Sequence, residues 1–176
     1  MRTEYLLQKE VDRVLDLLTP ENRLVMRVCL HTGLRLGDVL DLRTEMLKPH
    51  FWVTEAKTGK RKQIGLPEPL LSDLRANAGR IYVFEGCKPE KHRTRQAVWK
   101  DVKRAAVACR LPQNVAPHSA RKVYAVDLLQ KYGDIEKVRK ILNHEYASTT
   151  MIYAMADKLL QQRNNRRRSR PGRKKC

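Results

Sequence analysis

One change of hydrophobic rhythm most limits what this chain can fold into. The stretch HFWVTEAKTGKRKQIGLP, residues 50 to 67, reads as strand, turn, strand, whereas the segments on either side repeat with helical spacing. Phe51, Trp52 and Val53 favour extended backbone, Thr58-Gly59 permits a turn, and Ile64 and Leu66 alternate after it. Ile81 to Phe84 is a second, shorter extended candidate. The expected class is therefore mainly α with a small antiparallel β-sheet (α+β).

The helices announce themselves by spacing and by their ends. Val11, Val14, Leu15 and Leu18 fall on one helix face. Thr19-Pro20-Glu21 supplies a cap residue, a first-turn proline and an acid at the positive helix end. The helix it opens runs through Leu24 and Val28 to about Leu30, and Gly33 provides the left-handed residue that stops it. Leu36 to Leu42 predicts a short third helix. Thr94 caps one running from Arg95 to about Ala108, with Trp99 expected in the core. Pro117 precedes another that ends near Gly133. Asp134 caps the next, with Ile135, Val138, Ile141 and Leu142 on its buried side. Asn143 stands where that helix must stop, and Ser148 can cap a last one carrying Met151, Ile152 and Tyr153.

With 176 residues and 41% hydrophobic content, the chain is long enough for one domain with a real core. There is no apolar run long enough to span a membrane and no apolar leader at the start, so neither a membrane protein nor a signal peptide is expected. Cys29, Cys87, Cys109 and Cys176 form no metal-like or paired spacing and read as reduced thiols of a cytosolic protein, Cys29 and Cys109 in the core.

Charge narrows the partner. Lys and Arg number 37 against 19 acids, a net +18. The stretch from Arg163 to Cys176 holds eight basic and no acidic residues; without it, 29 basic residues still face 19 acids, or +10. The folded part is thus basic in its own right, and residues 161–176 form a basic tail expected to be disordered without a partner. A polyanion is the natural partner, nucleic acid above all.

Five stretches can carry chemistry, and each has a plainer reading alone. In TGLRLGD, Arg35 and Asp38 stand three apart and read as a surface ion pair. The hairpin tip carries Lys57, Lys60, Arg61 and Lys62, which can reach a duplex groove or simply protect a strand edge. HRTRQAVWKDVKR opens a helix with Arg93, Thr94, Arg95 and Gln96, residue types that meet phosphates and base edges. PHSAR sets His118 and Arg121 three apart, where an imidazole and a guanidinium fork can share one phosphate. LNHEYASTTMIY separates His144 from Tyr153 by nine residues.

In order, Arg35, Lys57, His118, Arg121, His144 and Tyr153 resemble the signature of the tyrosine recombinase (phage integrase) family, and the likeness covers most of residues 1 to 157. The resemblance implies the DNA breaking-rejoining fold of the family's catalytic domain over residues 1–160. It implies site-specific cleavage and rejoining of double-stranded DNA through a 3′-phosphotyrosyl link on Tyr153, on a homo-oligomer, a tetramer, in the cytoplasm of a bacterium or a phage host. Arg35 and Arg121 would clamp the phosphate, His118 and His144 would donate or accept protons, and Lys57 would protonate the leaving 5′ oxygen. That is acid–base and electrostatic catalysis, so no metal or other cofactor is expected. Lys60, Arg61, Lys62, Arg93, Thr94, Arg95 and Gln96 are the expected DNA contacts. Asn143 departs from the family's glycine before the second histidine. The chain also begins about where a catalytic domain begins, whereas most members carry an N-terminal core-binding domain ahead of it; the expectation is either a naturally minimal member or a piece cut from a longer protein. Three rivals weaken against the ordered set. A type IB topoisomerase would place a Ser-Lys pair before the tyrosine, where Thr149 to Ile152 stand. A non-catalytic DNA-binding relative would be suggested by loss of Arg35, Arg121 or Tyr153, and a ribosomal-type RNA binder explains only the charge.

Overall fold

A computed structural model describes residues 6–88 and 90–142. Within them the chain forms α1 (Gln8–Asp16), α2 (Pro20–Thr32), α3 (Leu36–Leu40), a 3₁₀ turn (Thr44–Met46), β1 (His50–Thr54), β2 (Arg61–Gly65), α4 (Glu68–Asn77), α5 (Arg95–Ala108), α6 (His118–Tyr132) and α7 (Ile135–Ile141). The chain divides into two compact units, Met1–Ala125 and Val126–Cys176.

In the first unit, α2 is the axial element. Val25 and Val28 are fully buried, and α1, α3 and α4 all pack against the helix. Val11 and Val14 close from α1, Leu18 from the turn after it, and Val98, Val102 and Ala105 from α5. Each large apolar side chain so buried contributes about 1.5–3 kcal/mol. Helix α4 was not anticipated from the sequence. Its apolar face is only Leu70, Leu71 and Leu74, framed by Pro67 and Pro69, which imitate loop punctuation. All three leucines are buried.

Thr19 occupies the N-cap of α2, but its side chain does not cap. Its backbone N–H (3.0 Å) and hydroxyl (3.1 Å) both donate to Asp101 Oδ2 on α5, as does Asn22 Nδ2 (2.8 Å). The buried Asp101 is thus a tie between two helices. Burial pushes its carboxyl up, but the donors of Asn22, Thr19 and Arg104 outweigh that and hold it at about 2.

The hairpin is antiparallel, with Trp52 opposite Gln63 and Val53 opposite Lys62. Phe51, Val53 and Ile64 turn inward. The segment 81–84 makes no strand of a sheet. It pairs through single bridges, Arg43 with Tyr82 and, just beyond it, Glu85 with His92, while Val83 N donates to Leu42 O at 2.9 Å. Trp99 is a correction: it is 47% exposed. The buried face of α5 follows Val98, Asp101, Val102 and Ala105, and a residue one step from Val98 is rotated about 100° off that face.

In the second unit, Asp134 caps α7 by accepting from Glu136 N and Lys137 N, and Val138 and Leu142 are buried. Gly133, in the left-handed conformation, ends α6 as expected. Residues 143–176, with the second histidine, the tyrosine and the basic tail, lie outside the described residues.

Candidate active site

The site grows from the end of α2. Thr32 is that helix's last residue, and Gly33 follows at φ +65°, in the left-handed conformation. A Cβ there would lie 2.1 Å from Tyr124 Cδ1 on α6, so both torsion and space require glycine. The turn delivers Arg35 to the N-cap position of α3 in extended conformation.

The surface pair expected between Arg35 and Asp38 does not form. Arg35 Nη1 instead makes a short ion pair with Glu55 Oε2, in the turn after β1. Asp38 is buried and accepts from Ala56 N at 3.0 Å. Both acidic contacts therefore fasten the arginine's elbow to the hairpin. Glu55 is wholly buried and also accepts from Thr58 Oγ1 at 3.0 Å. Burial raises its carboxyl, but Arg35, by hydrogen bond and charge, and then Arg121 and Thr58 bring it below the ordinary value, so it is an anion at neutral pH.

Arg121 comes from α6 and is 2% exposed, with Nη1 donating to Gly33 O at 2.5 Å. A guanidinium held this way is pre-oriented, and it has no neutral form at physiological pH. His118 opens α6 one turn earlier, on the exposed surface. Partial desolvation is the main cause that lowers its imidazole below the usual value, followed by the charges of Arg121, Lys122, Arg35 and Lys57. At neutral pH it is uncharged, with one ring nitrogen to donate and one to accept. The charges of three other sequence-predicted residues, Arg35, Lys57 and Arg121, thus all act on His118. Lys57 is exposed in the hairpin turn.

Beside His118 lies an open groove lined by Leu36, Arg95, Gln96, Trp99 and Pro117. Arg95 and Gln96 are exposed in the first turn of α5, and Thr94 caps that helix by accepting from Ala97 N. Arg93 serves the fold as well: its Nε donates to Asn22 Oδ1 at 2.6 Å.

On the hairpin, Lys60 and Arg61 are exposed, and the Arg61 guanidinium stacks 5.1 Å from the Trp52 ring centre. Lys62 differs from its neighbours. It points to the inner face, where Nζ donates to Thr32 O at 2.6 Å. Burial, then the charge of Arg121, lower its ammonium to about 8, with Glu55 acting the other way. Glu55 was not read from the sequence as part of this region, Lys62 was expected there only as a DNA contact of the hairpin tip, and Trp99 was expected in the core. The alternation of β2 did carry the signal for Lys62, because it shares parity with Ile64.

Residues 4–159 match the model of the phage integrase family. A probable integrase/recombinase, YoeC of Bacillus subtilis, is 31% identical over 137 residues, covering 73% of this chain and 74% of its own. Tyrosine recombinase XerA of Pyrococcus furiosus is 26% identical over 161 residues, covering 84% of this chain and 56% of its own. Among solved structures, a XerA recombinase superposes with a TM-score of 0.73 at 20% identity, over 97% of this chain and 67% of that one. The catalytic domain of bacteriophage HP1 integrase gives 0.68 at 21% identity, over 88% and 89%. The fold is that of a tyrosine recombinase catalytic domain. Apart from the Bacillus protein, the chain spans little more than half the length of such relatives as XerA.

Proposed function

Because this chain belongs to the phage integrase family, we propose that it is a site-specific DNA recombinase that cuts and rejoins strands through a covalent tyrosyl intermediate. The observation that carries the reading is a pair of anchored guanidiniums, Arg35 on Glu55 and Arg121 on the Gly33 carbonyl, whose charges and that of Lys57 all act on His118, beside an open groove that Arg95 and Gln96 help to line. A phosphodiester set there meets two guanidiniums, which neutralise its non-bridging oxygens and stabilise the charge that develops during in-line displacement. The Tyr153 oxygen attacks phosphorus as the bond to the 5′ oxygen breaks. Tyr153 gives up its phenolic proton and the leaving oxygen gains one. Tyrosine's ordinary pKa is about 10, so the cationic surroundings assist the first event. Lys57, exposed in the hairpin turn, is our candidate donor for the second, and His118 and His144 complete the proton inventory. A second strand's 5′ hydroxyl then reverses the step, so no external energy source is consumed.

In this reading Arg95 and Gln96, exposed in the first turn of α5, read base edges, Arg61 and Lys60 hold phosphates, and Thr94 and Arg93 orient that helix start. Assembly as a homo-tetramer on duplex DNA is part of the same reading. It draws support from the lambda integrase tetramer solved on a Holliday junction, whose fold this chain shares. The test is a covalent trap. The protein is mixed with sheared DNA from its native locus and quenched in SDS, and protein-linked DNA is recovered and sequenced. Adducts are expected from the parent chain and none from Tyr153→Phe; equal yields from both would remove Tyr153 as nucleophile.

A further inference from the structure

Lys62 is a half-buried cation with no part in the chemistry above, and its surroundings are specific. The last carbonyls of a helix lack intrahelical partners and sit at the negative end of its dipole. At the end of α2 two successive carbonyls are claimed by cations from two other elements. Lys62 Nζ, from β2, lies 2.6 Å from Thr32 O, and Arg121 Nη1, from α6, lies 2.5 Å from Gly33 O. The Lys62 ammonium also sits 5.3 Å from the ring centre of Tyr124, three residues after Arg121 on α6. That same ring occupies the space a Cβ on Gly33 would need. Lys62, Tyr124, Gly33 and Arg121 therefore close a ring of contacts around the elbow that carries Arg35.

We propose that Lys62 is a positioning residue for the two arginines: its bond to Thr32 O fixes the carbonyl end of α2, so that Gly33 O holds Arg121 and the elbow holds Arg35. Direct contact with a DNA phosphate, the role its position in KRK suggests, is opposed by its inner-face placement and its engaged ammonium. A simple packing role is opposed by chemistry. Burying most of an ammonium beside Arg121 costs stability that an apolar side chain of equal length would not, and what offsets it here is specific: the Thr32 carbonyl, the Tyr124 ring and the charge of Glu55. The inference rests on the recombinase reading for its effect on rate, but not for its effect on Arg121.

The test uses the full chain and two readouts. The first is the ¹⁵N-resolved guanidinium N–H signal of Arg121 and its hydrogen-exchange protection. The second is single-turnover adduct formation on a nicked duplex carrying the site found by the covalent trap, with duplex affinity measured alongside. Lys62→Met keeps the length, removes the charge and is expected to fold. It should reduce Arg121 protection roughly tenfold and slow adduct formation by roughly tenfold or more, with affinity changed by less than roughly threefold. Lys62→Gln should behave the same way, which keeps the test decisive if methionine misfolds, and Lys62→Arg should restore both readouts. An unchanged Arg121 signal in both neutral variants overturns the proposal. So does equal loss of rate and affinity, which would make Lys62 a phosphate anchor. If the parent chain forms no adduct, the recombinase reading falls, and the Arg121 signal still decides the role of Lys62.

Discussion

Arg35 has an occupant before any substrate arrives. Its ion pair with Glu55 is buried on the acid's side and partly open on the arginine's, with side-chain exposures of 0% and 26%. The pair holds the guanidinium in place and leaves one face for a phosphate. Its worth to the fold lies mainly in avoiding a stranded charge. Arg35→Ala is therefore expected to destabilise the chain by about 3 kcal/mol, because an ionised Glu55 would remain without its main partner. Adding Glu55→Gln should return much of that stability while leaving DNA cleavage lost. Chemical denaturation of the single and double variants measures the coupling. If the double variant cleaved like the parent, Arg35 would be structural only. Sequence reading found Arg35 itself but assigned it the wrong acid. Helix spacing offered Asp38 three residues away, while the true partner lies 20 residues on, and only the hairpin's fold brings it near.

At the scale of elements, what the sequence displayed was punctuation. Thr94 caps α5, Asp134 caps α7, Gly33 ends α2 and Gly59 turns the hairpin, because each of these positions is decided by local torsion and local hydrogen bonds. What it concealed was side-chain traffic between elements. Thr19 stands at a cap position, but its hydroxyl serves Asp101, 82 residues away. Helix α4 hid behind two prolines, and Trp99 was judged by residue type when the phase of α5 would have placed it outside. The Asp101 tie has a consequence for acid stability. Its folded-state value, about 2, is below the ordinary 3.8, so the stability it supplies is complete above the ordinary value and is lost as pH falls through about 2. An Asp101→Asn variant should be less stable than the parent at pH 6, by about 1–3 kcal/mol, and the difference should shrink as the pH drops from about 4 towards 2. Urea unfolding at several pH values reads this directly, and a difference that stayed constant would show that the charge is not what joins the helices.

The whole molecule is an electrostatic object. A net charge of +18, still +10 without the residues from Arg163 onward, means that duplex DNA is met first as a polyanion and only then as a sequence. Binding should weaken steeply with salt, by roughly 10³-fold or more between 50 and 200 mM if about six phosphates are neutralised. Removing residues 163–176 should flatten that slope by the number of contacts the tail makes, without changing which site is cut. Titration of fluorescent duplex at several salt concentrations gives both quantities. A slope unchanged by the truncation would assign the non-specific affinity to the folded surface alone.

The strict alternation of β2 also says how this gene can change length. Arg61 and Gln63 face out, and Lys62 and Ile64 face in, so deleting or inserting one codon within the strand would exchange those faces from that point to its end. An arginine or glutamine would be pushed toward the end of α2, and an isoleucine toward solvent. Gly59, at φ +64°, has nothing within 4 Å of a would-be Cβ and sits in the open bend of the turn. Frame-preserving insertions among natural variants should therefore collect beside Gly59, moving the reach of the hairpin while its inner face stays in register.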